Sequence, residues 1–214
     1  MSESFVNREF YVQLVDEASF VAVDEFFLGN FSVEEIARKI GCHPDDLSPG
    51  GFFLLDDDLR NKVDTLFKVD LSRKGCEANL ISWSASDGIP YRTHSGREFI
   101  LMRDKLKPLS VFTSMIPFSP DSLELPTSLF APLLSEGRVV TRHYCEIMDI
   151  NARFKGVEVV LYAHPSEEWR LDAYMLVRSI ARKVGWSEPL VRMEGALLGY
   201  SEWQNDAFIA ASPS

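Results

Sequence analysis

Val139–Met148, Val-Val-Thr-Arg-His-Tyr-Cys-Glu-Ile-Met, and Val157–Ala163, Val-Glu-Val-Val-Leu-Tyr-Ala, decide the fold class. Both runs are rich in the β-branched and aromatic residues that suit a pleated surface. The short segment Asp149–Gly156 between them suits a hairpin, so the two strands are expected to pair antiparallel. Upstream, Leu109–Ile116 reads as a third strand. Ala78–Trp83 and Ile89–Thr93, joined by a turn at Ser86–Gly88, read as a further hairpin.

Helices bracket these strands. Ser32–Ile40 opens with Ser32 and Glu35 in the S-x-x-E relation of a capping box, carries Val33, Ile36, Ala37 and Ile40 on one stripe, and stops at Gly41. Asp56–Lys68 follows, with Leu55, Leu59, Val63, Leu66 and Phe67 along its buried side. Asp56, Asp57 and Asp58 sit in its first turn, where the helix dipole favours carboxylates. The aromatic and β-branched segment before them, Phe10–Leu28, has an ambiguous period, and a helix is expected over Glu17–Leu28 with Gly29 as its stop. Ser95–Leu106 reads as a short helix between strands, with Ser95 and Glu98 in a second capping-box relation and Phe99, Met102 and Leu106 facing the core. At the C-terminal end, Trp169–Val184 carries Ala173, Leu176, Val177, Ile180 and Val184 on one face. Leu190–Leu198 and a last helix from Ser201 complete the order. Segregated helices and strands point to an α+β fold. The expected form is an antiparallel sheet of about four to five strands, roughly residues 77–163, flanked by N-terminal helices and a C-terminal helical segment.

The chain of 214 residues is expected to form a single domain, residues 1–214. Pro117, Pro120, Pro126 and Pro132 make residues 117–132 the best place for a sub-division, because proline interrupts regular structure. The longest uncharged stretch, Pro108–Pro120, is too short to span a bilayer, and the N-terminus has neither the basic start nor the apolar run of a signal peptide. Cys42, Cys76 and Cys145 are odd in number and form no C-x-x-C pair, which fits reduced thiols packed as small hydrophobes in a cytoplasmic protein.

Charge is unevenly spread. Residues 1–70 hold 6 Lys+Arg against 15 Asp+Glu, while residues 71–214 hold 16 against 17. An acidic first third repels nucleic acid and anionic membrane and attracts a basic protein partner.

Residues 32–47, Ser-Val-Glu-Glu-Ile-Ala-Arg-Lys-Ile-Gly-Cys-His-Pro-Asp-Asp-Leu, resemble the first helix and turn of DNA-binding helix-turn-helix units. Ala37 and Gly41 fall where that motif places its small residue and its turn glycine. The second half departs from the pattern. A reading helix needs several turns and basic or amide side chains, whereas this one would hold Asp45 and Asp46 and end at Ser48-Pro49-Gly50-Gly51. A helical hairpin that packs internally or against another protein is the reading we carry forward.

Three polar constellations stand out. Arg92, His94, Arg97 and Glu98 fall between a strand and a helix start, where the arginines could clamp an anion and His94 and Glu98 could move protons. On Val139–Met148, Arg142, Tyr144 and Glu146 alternate onto one strand face, with Thr141, His143 and Cys145 on the other. Here His143 and Glu146 are the acid–base candidates. Glu194 lies among Leu190, Val191, Leu197 and Leu198 at helical spacing, and a carboxylate in an apolar stripe is costly unless paired. The expected partner is Arg170 or Arg178, with Trp169 and Trp203 walling the same pocket. The pairing reads either as a ligand site or as an ion pair that fixes helix register. No metal site and no cofactor motif is expected: the four histidines lack ligand spacing, and no P-loop, G-x-G-x-x-G or G-x-S-x-G is present.

Two functions follow as expectations. One is a protein-binding or regulatory module, of the immunity type, that uses its acidic N-terminal third. The other is a small enzyme acting on an anionic substrate with His/Glu acid–base groups and an arginine clamp.

Overall fold

The computed structural model describes residues 8–47, 52–83, 96–117, 124–151 and 154–211. The fold is α+β with antiparallel strands, as the sequence indicates, and the strands form two sheets. The chain divides into two compact units, Met1–Gly88 and Ile89–Ser214. Residues 117–132 fall inside the second.

The first unit is a four-stranded sheet in the order β2-β1-β4-β3, with two helices. Its strands are β1 (Arg8–Asp16), β2 (Ala22–Phe31), β3 (Phe52–Leu54) and β4 (Cys76–Trp83). Helix α1 (Val33–Ile40) starts on the Ser32–Glu35 capping box, made in both directions, and ends at Gly41 in the left-handed region. Helix α2 (Asp57–Phe67) is capped by Asp56, whose carboxylate accepts from the Leu59 N–H. On one sheet face Phe10, Val12 and Leu14 pair across with Ser82, Leu80 and Ala78. Phe31 carries this face to the helices, its ring 6.1 Å from Phe67 of α2 and under the Lys39 ammonium of α1.

Three expectations fail here. The segment expected to be helical over Glu17–Leu28 is a tight turn followed by strand β2. Asp16 holds the turn, accepting from the Ser19 N–H and hydroxyl. The β1–β2 register shifts at Phe10/Tyr11 and again at Leu14/Val15, and these bulges break the two-residue period that would have marked a strand. Gly29 lies within β2, at φ 131°, instead of ending a helix. Second, residues 76–83 do not join the later strands in one sheet of residues 77–163. They pair with β1 and β3, which are far away in sequence. The turn and return strand expected over residues 86–93, and Ser95 of the second capping box, lie outside the described residues. Leu66, expected on the buried side of α2, is exposed.

After α1, Pro44–Asp46 forms a 3-10 helix of 3 residues, with His43 accepting from the Asp45 N–H and Asp46 reaching back to the His43 N–H. Proline at its first position and two carboxylates fit a turn and leave no helix long enough to lie in a groove.

The second unit is a three-stranded sheet, β5 (Leu109–Ile116), β7 (Phe154–Ala163) and β6 (Val140–Asn151), with β7 in the middle. Helices cover both faces. On one face Leu109, Val159, Leu161 and Ala163 pack against Leu171, Tyr174, Val177 and Ala181 of α5 (Trp169–Val184) and Leu190 and Leu197 of α6 (Glu188–Leu197). On the other, Tyr162 stacks on Phe130 of α4 (Thr127–Ser135) at 3.9 Å, and Phe99 of α3 (Glu98–Arg103) meets Phe130 edge-on. Helix α7 (Glu202–Ala211) closes the chain.

The buried face of α5 differs from the expected stripe. Of the stripe Ala173, Leu176, Val177, Ile180 and Val184, only Val177 is in the core, while Leu176 and Val184 are 60% and 75% exposed. The buried stripe runs through Leu171, Tyr174, Val177 and Ala181. Leu106 is likewise exposed where a core position was expected, and Cys145, expected buried, is exposed on edge strand β6.

Candidate functional site

Alternation along β6 sets the site. Arg142, Tyr144 and Glu146 face α5, and His143 and Cys145 face the opposite way. Glu146 is sealed, its side chain 1% exposed. Arg178 of α5 reaches it, with Nη2 at 3.5 Å from Glu146 Oε2, and turns its other amino group to Glu194 of α6, with Nη1 at 3.7 Å from Oε1. One guanidinium therefore lies between two carboxylates drawn from β6 and α6.

Two tyrosines complete the cluster. Tyr144 donates its hydroxyl to Glu146 Oε1 at 3.3 Å, and the Tyr174 hydroxyl donates to Glu194. Burial raises the Glu194 carboxyl above its ordinary range, against the opposing pull of Arg178 and the Tyr174 hydrogen bond. Burial and the negative charge of Glu146 push Tyr144 up to about 12. Burial and Glu194 push Tyr174 upward as well. The Arg178 guanidinium also lies over the Trp186 ring, 5.4 Å from its centre. Glu194 stands at the wall of a pocket between α6 and α7.

The other candidates are dispersed. Arg92 and His94 lie outside the described residues. Arg97 precedes α3 as its N-cap and makes no side-chain cap hydrogen bond. Glu98 is half-buried near Lys107, and desolvation raises its carboxyl. His143 Nε2 meets Glu158 Oε1 at 2.7 Å on the sheet face away from α5, so His143 and Glu146 do not meet. Arg170 is the alternative partner named for Glu194. It binds Glu167 at 2.6 Å and donates to the Ala196 and Leu197 carbonyls at the end of α6. Trp169 lies exposed under the Arg170 guanidinium, and Trp203 is exposed on α7; neither lines the α6–α7 pocket.

Sequence reasoning missed Lys107. Its side chain is 3% exposed, it donates to the Leu198 carbonyl at 3.0 Å, and it lies over the Tyr200 ring. Burial pulls its ammonium down to about 8, with Glu98 acting against that. A lysine between Leu106 and Pro108 carries no local signal of burial. Trp186 was missed too: it follows Gly185, beyond the end of the α5 stripe.

The first unit carries a different kind of surface. Phe27, Tyr11, Ile81 and Phe52 form one row across the four strands. Ile81 in the row is buried, while the ends are exposed, Phe52 at 68%. Tyr11 donates to Glu9 at 2.8 Å, and Gln13 in the next row donates to Glu25 at 2.7 Å. Leu54, two residues on from Phe52 and on the same side of β3, is 55% exposed. The chain then runs directly into Asp56, Asp57 and Asp58, all exposed.

No group of three or more His, Cys, Asp or Glu side chains among the described residues is placed to hold a metal ion. Among the same residues no helix is long and apolar enough to cross a membrane. Comparison with protein-family models, curated proteins and solved structures finds no match to this chain.

Proposed function

We propose that the chain is a protein-binding module whose acidic first unit docks a basic partner. The observation that carries the reading is edge strand β3, where exposed Phe52 and Leu54 lead straight into the carboxylates Asp56–Asp58. An interface needs apolar area for affinity and complementary charge for encounter and register, and this segment offers both within seven residues. Strand β3 also ends the order β2-β1-β4-β3, so among the described residues its outer side has no strand partner, the arrangement that strand addition uses. A regulatory role of the immunity type, in which the module covers a basic functional surface, follows from this chemistry.

The test is to recover the full chain with its partner from its own host, identify the partner, and titrate it against wild type, F52S/L54S and D57K/D58K. A basic partner whose affinity falls about tenfold or more in both variants, and falls with added salt, supports the reading. A partner bound equally by all three proteins refutes it.

A further inference from the structure

The pocket between α6 and α7 has a volume of ≈ 180 Å³. Val191, Leu198 and Phe208 give it apolar walls, and Glu194, Gln204 and Asn205 supply the polar groups. Its floor is close-packed: a Cβ on Gly195 would lie 1.9 Å from Asn205 Oδ1, so only glycine lets the Asn205 amide approach α6 this closely. Gln204 Oε1 is already engaged, accepting from the Ser201 N–H at 2.8 Å and the Ser201 hydroxyl at 3.0 Å. Among the described residues Glu194 is the one charged group on the wall.

Behind that wall two carboxylates meet one guanidinium. Glu146 and Glu194 share the single Arg178 guanidinium, which is closer to the sealed Glu146. Glu146 has no room for a further partner at 1% exposure, whereas Glu194 keeps 22%. A partly buried carboxylate with half a counter-ion is stabilised by a cation delivered from the pocket side. The walls specify what accompanies that cation, since aliphatic carbons gain by replacing water against Val191, Leu198 and Phe208. The volume lies below the roughly 300–1,000 Å³ of drug-sized sites, which limits the ligand to a short chain.

We propose that this pocket binds a primary alkylammonium group, with Glu194 as its counter-ion. The chemistry is shared by free small amines and by the lysine side chain of another protein, and the test separates the two.

The experiment is an amide-resolved NMR titration of the full chain with four probes. These are n-butylammonium, n-butanol, Nα-acetyl-lysine amide and Nα-acetyl-norleucine amide. At least one ammonium probe is expected to shift signals from Val191, Leu198 and Phe208 saturably, and to bind about tenfold or more tightly than its uncharged counterpart. E194Q is expected to erase that preference. Tighter binding of n-butylammonium assigns the site to free amines, and tighter binding of the lysine derivative assigns it to a protein side chain. If E194Q does not fold, V191F decides, because it keeps the carboxylate and fills the cavity. Loss of binding in V191F then supports the site, and unchanged binding contradicts it. Equal affinity for charged and uncharged probes, an unaltered preference in E194Q, or no shift at these three residues overturns the proposal.

Discussion

The two units treat carboxylates in opposite ways. In the first, Asp56, Asp57 and Asp58 stand in water, and their structural work is limited to capping α2 and favouring its N-terminal dipole. In the second, Glu146 and Glu194 are drawn inward and share Arg178, and Glu98 lies half-buried near Lys107. A carboxylate in water costs little and acts at a distance, so it suits encounter with a basic surface. A carboxylate taken out of water is expensive unless compensated, so each one fixes the position of its partner. Stability should therefore respond strongly to charge changes in the second unit and weakly in the first, with binding to the proposed basic partner showing the reverse.

The largest effect is expected from Arg178→Leu. It removes the guanidinium that lies between the sealed Glu146 and Glu194, and should cost about 3 to 5 kcal/mol in urea unfolding at neutral pH. An unchanged midpoint would show that the two carboxylates do not depend on Arg178.

Lys107 gives the next effect, through pH. Its native pKa of about 8 lies below the ordinary 10.5. Between those values the unfolded chain holds more protons than the native one, so stability should rise with pH there, on the order of 2 to 3 kcal/mol from about pH 8 to about pH 10. Below about pH 8 both states are protonated and the native state bears the full cost of a buried ammonium. Tyr144 and Tyr162, both raised to about 12, act in the opposite direction only above pH 10. Lys107→Met should lack the rise in a pH series of unfolding midpoints. A rise of the same size in the variant would remove Lys107 as its source.

Gly195→Ala sharpens the comparison from packing. The added carbon meets Asn205 at 1.9 Å and should cost about 1 to 3 kcal/mol by thermal or denaturant melting. In the first unit, Asp56→Ala removes a helix cap and should cost about 1 kcal/mol. Asp57→Asn with Asp58→Asn should change stability by about 0.5 kcal/mol or less while weakening the partner's association rate, most visibly at low salt. A large loss of stability in that last pair would erase the contrast between the units.

Much of the fold was legible because its signals are local. The Ser32–Glu35 capping box, strand Leu109–Ile116 and helix Trp169–Val184 were all readable where the structure has them. Each rests on a cap, a period or a stop carried by neighbouring residues. The β1–β2 hairpin was not legible, because two bulges scramble its alternation. The division of strands into two sheets depends on β4 finding β1, a pairing no local pattern specifies. On α5, Leu176, Ile180 and Val184 form a stripe as apolar as the buried one, and only the sheet decides which is covered.

The candidate site divides in the same way. A carboxylate in an apolar stripe announced Glu194, and Arg178 was one of two partners that spacing allowed. The arrival of Glu146 at the same guanidinium from β6 follows from tertiary packing alone, as does the distance of Trp169 and Trp203 from the pocket. The exposed Phe52 and Leu54 needed the sheet order to be known, because an edge strand of 3 residues is too short for a sequence period to mark.

Hydrogen exchange of the full chain, free and bound to the proposed basic partner once recovered from the host, tests the division of labour most directly. Protection on binding is expected in β3 and the first turn of α2, residues 52–60, and should weaken as salt rises from about 0.05 M to about 0.5 M. Protection confined to the second unit and indifferent to salt would contradict docking through the acidic first unit.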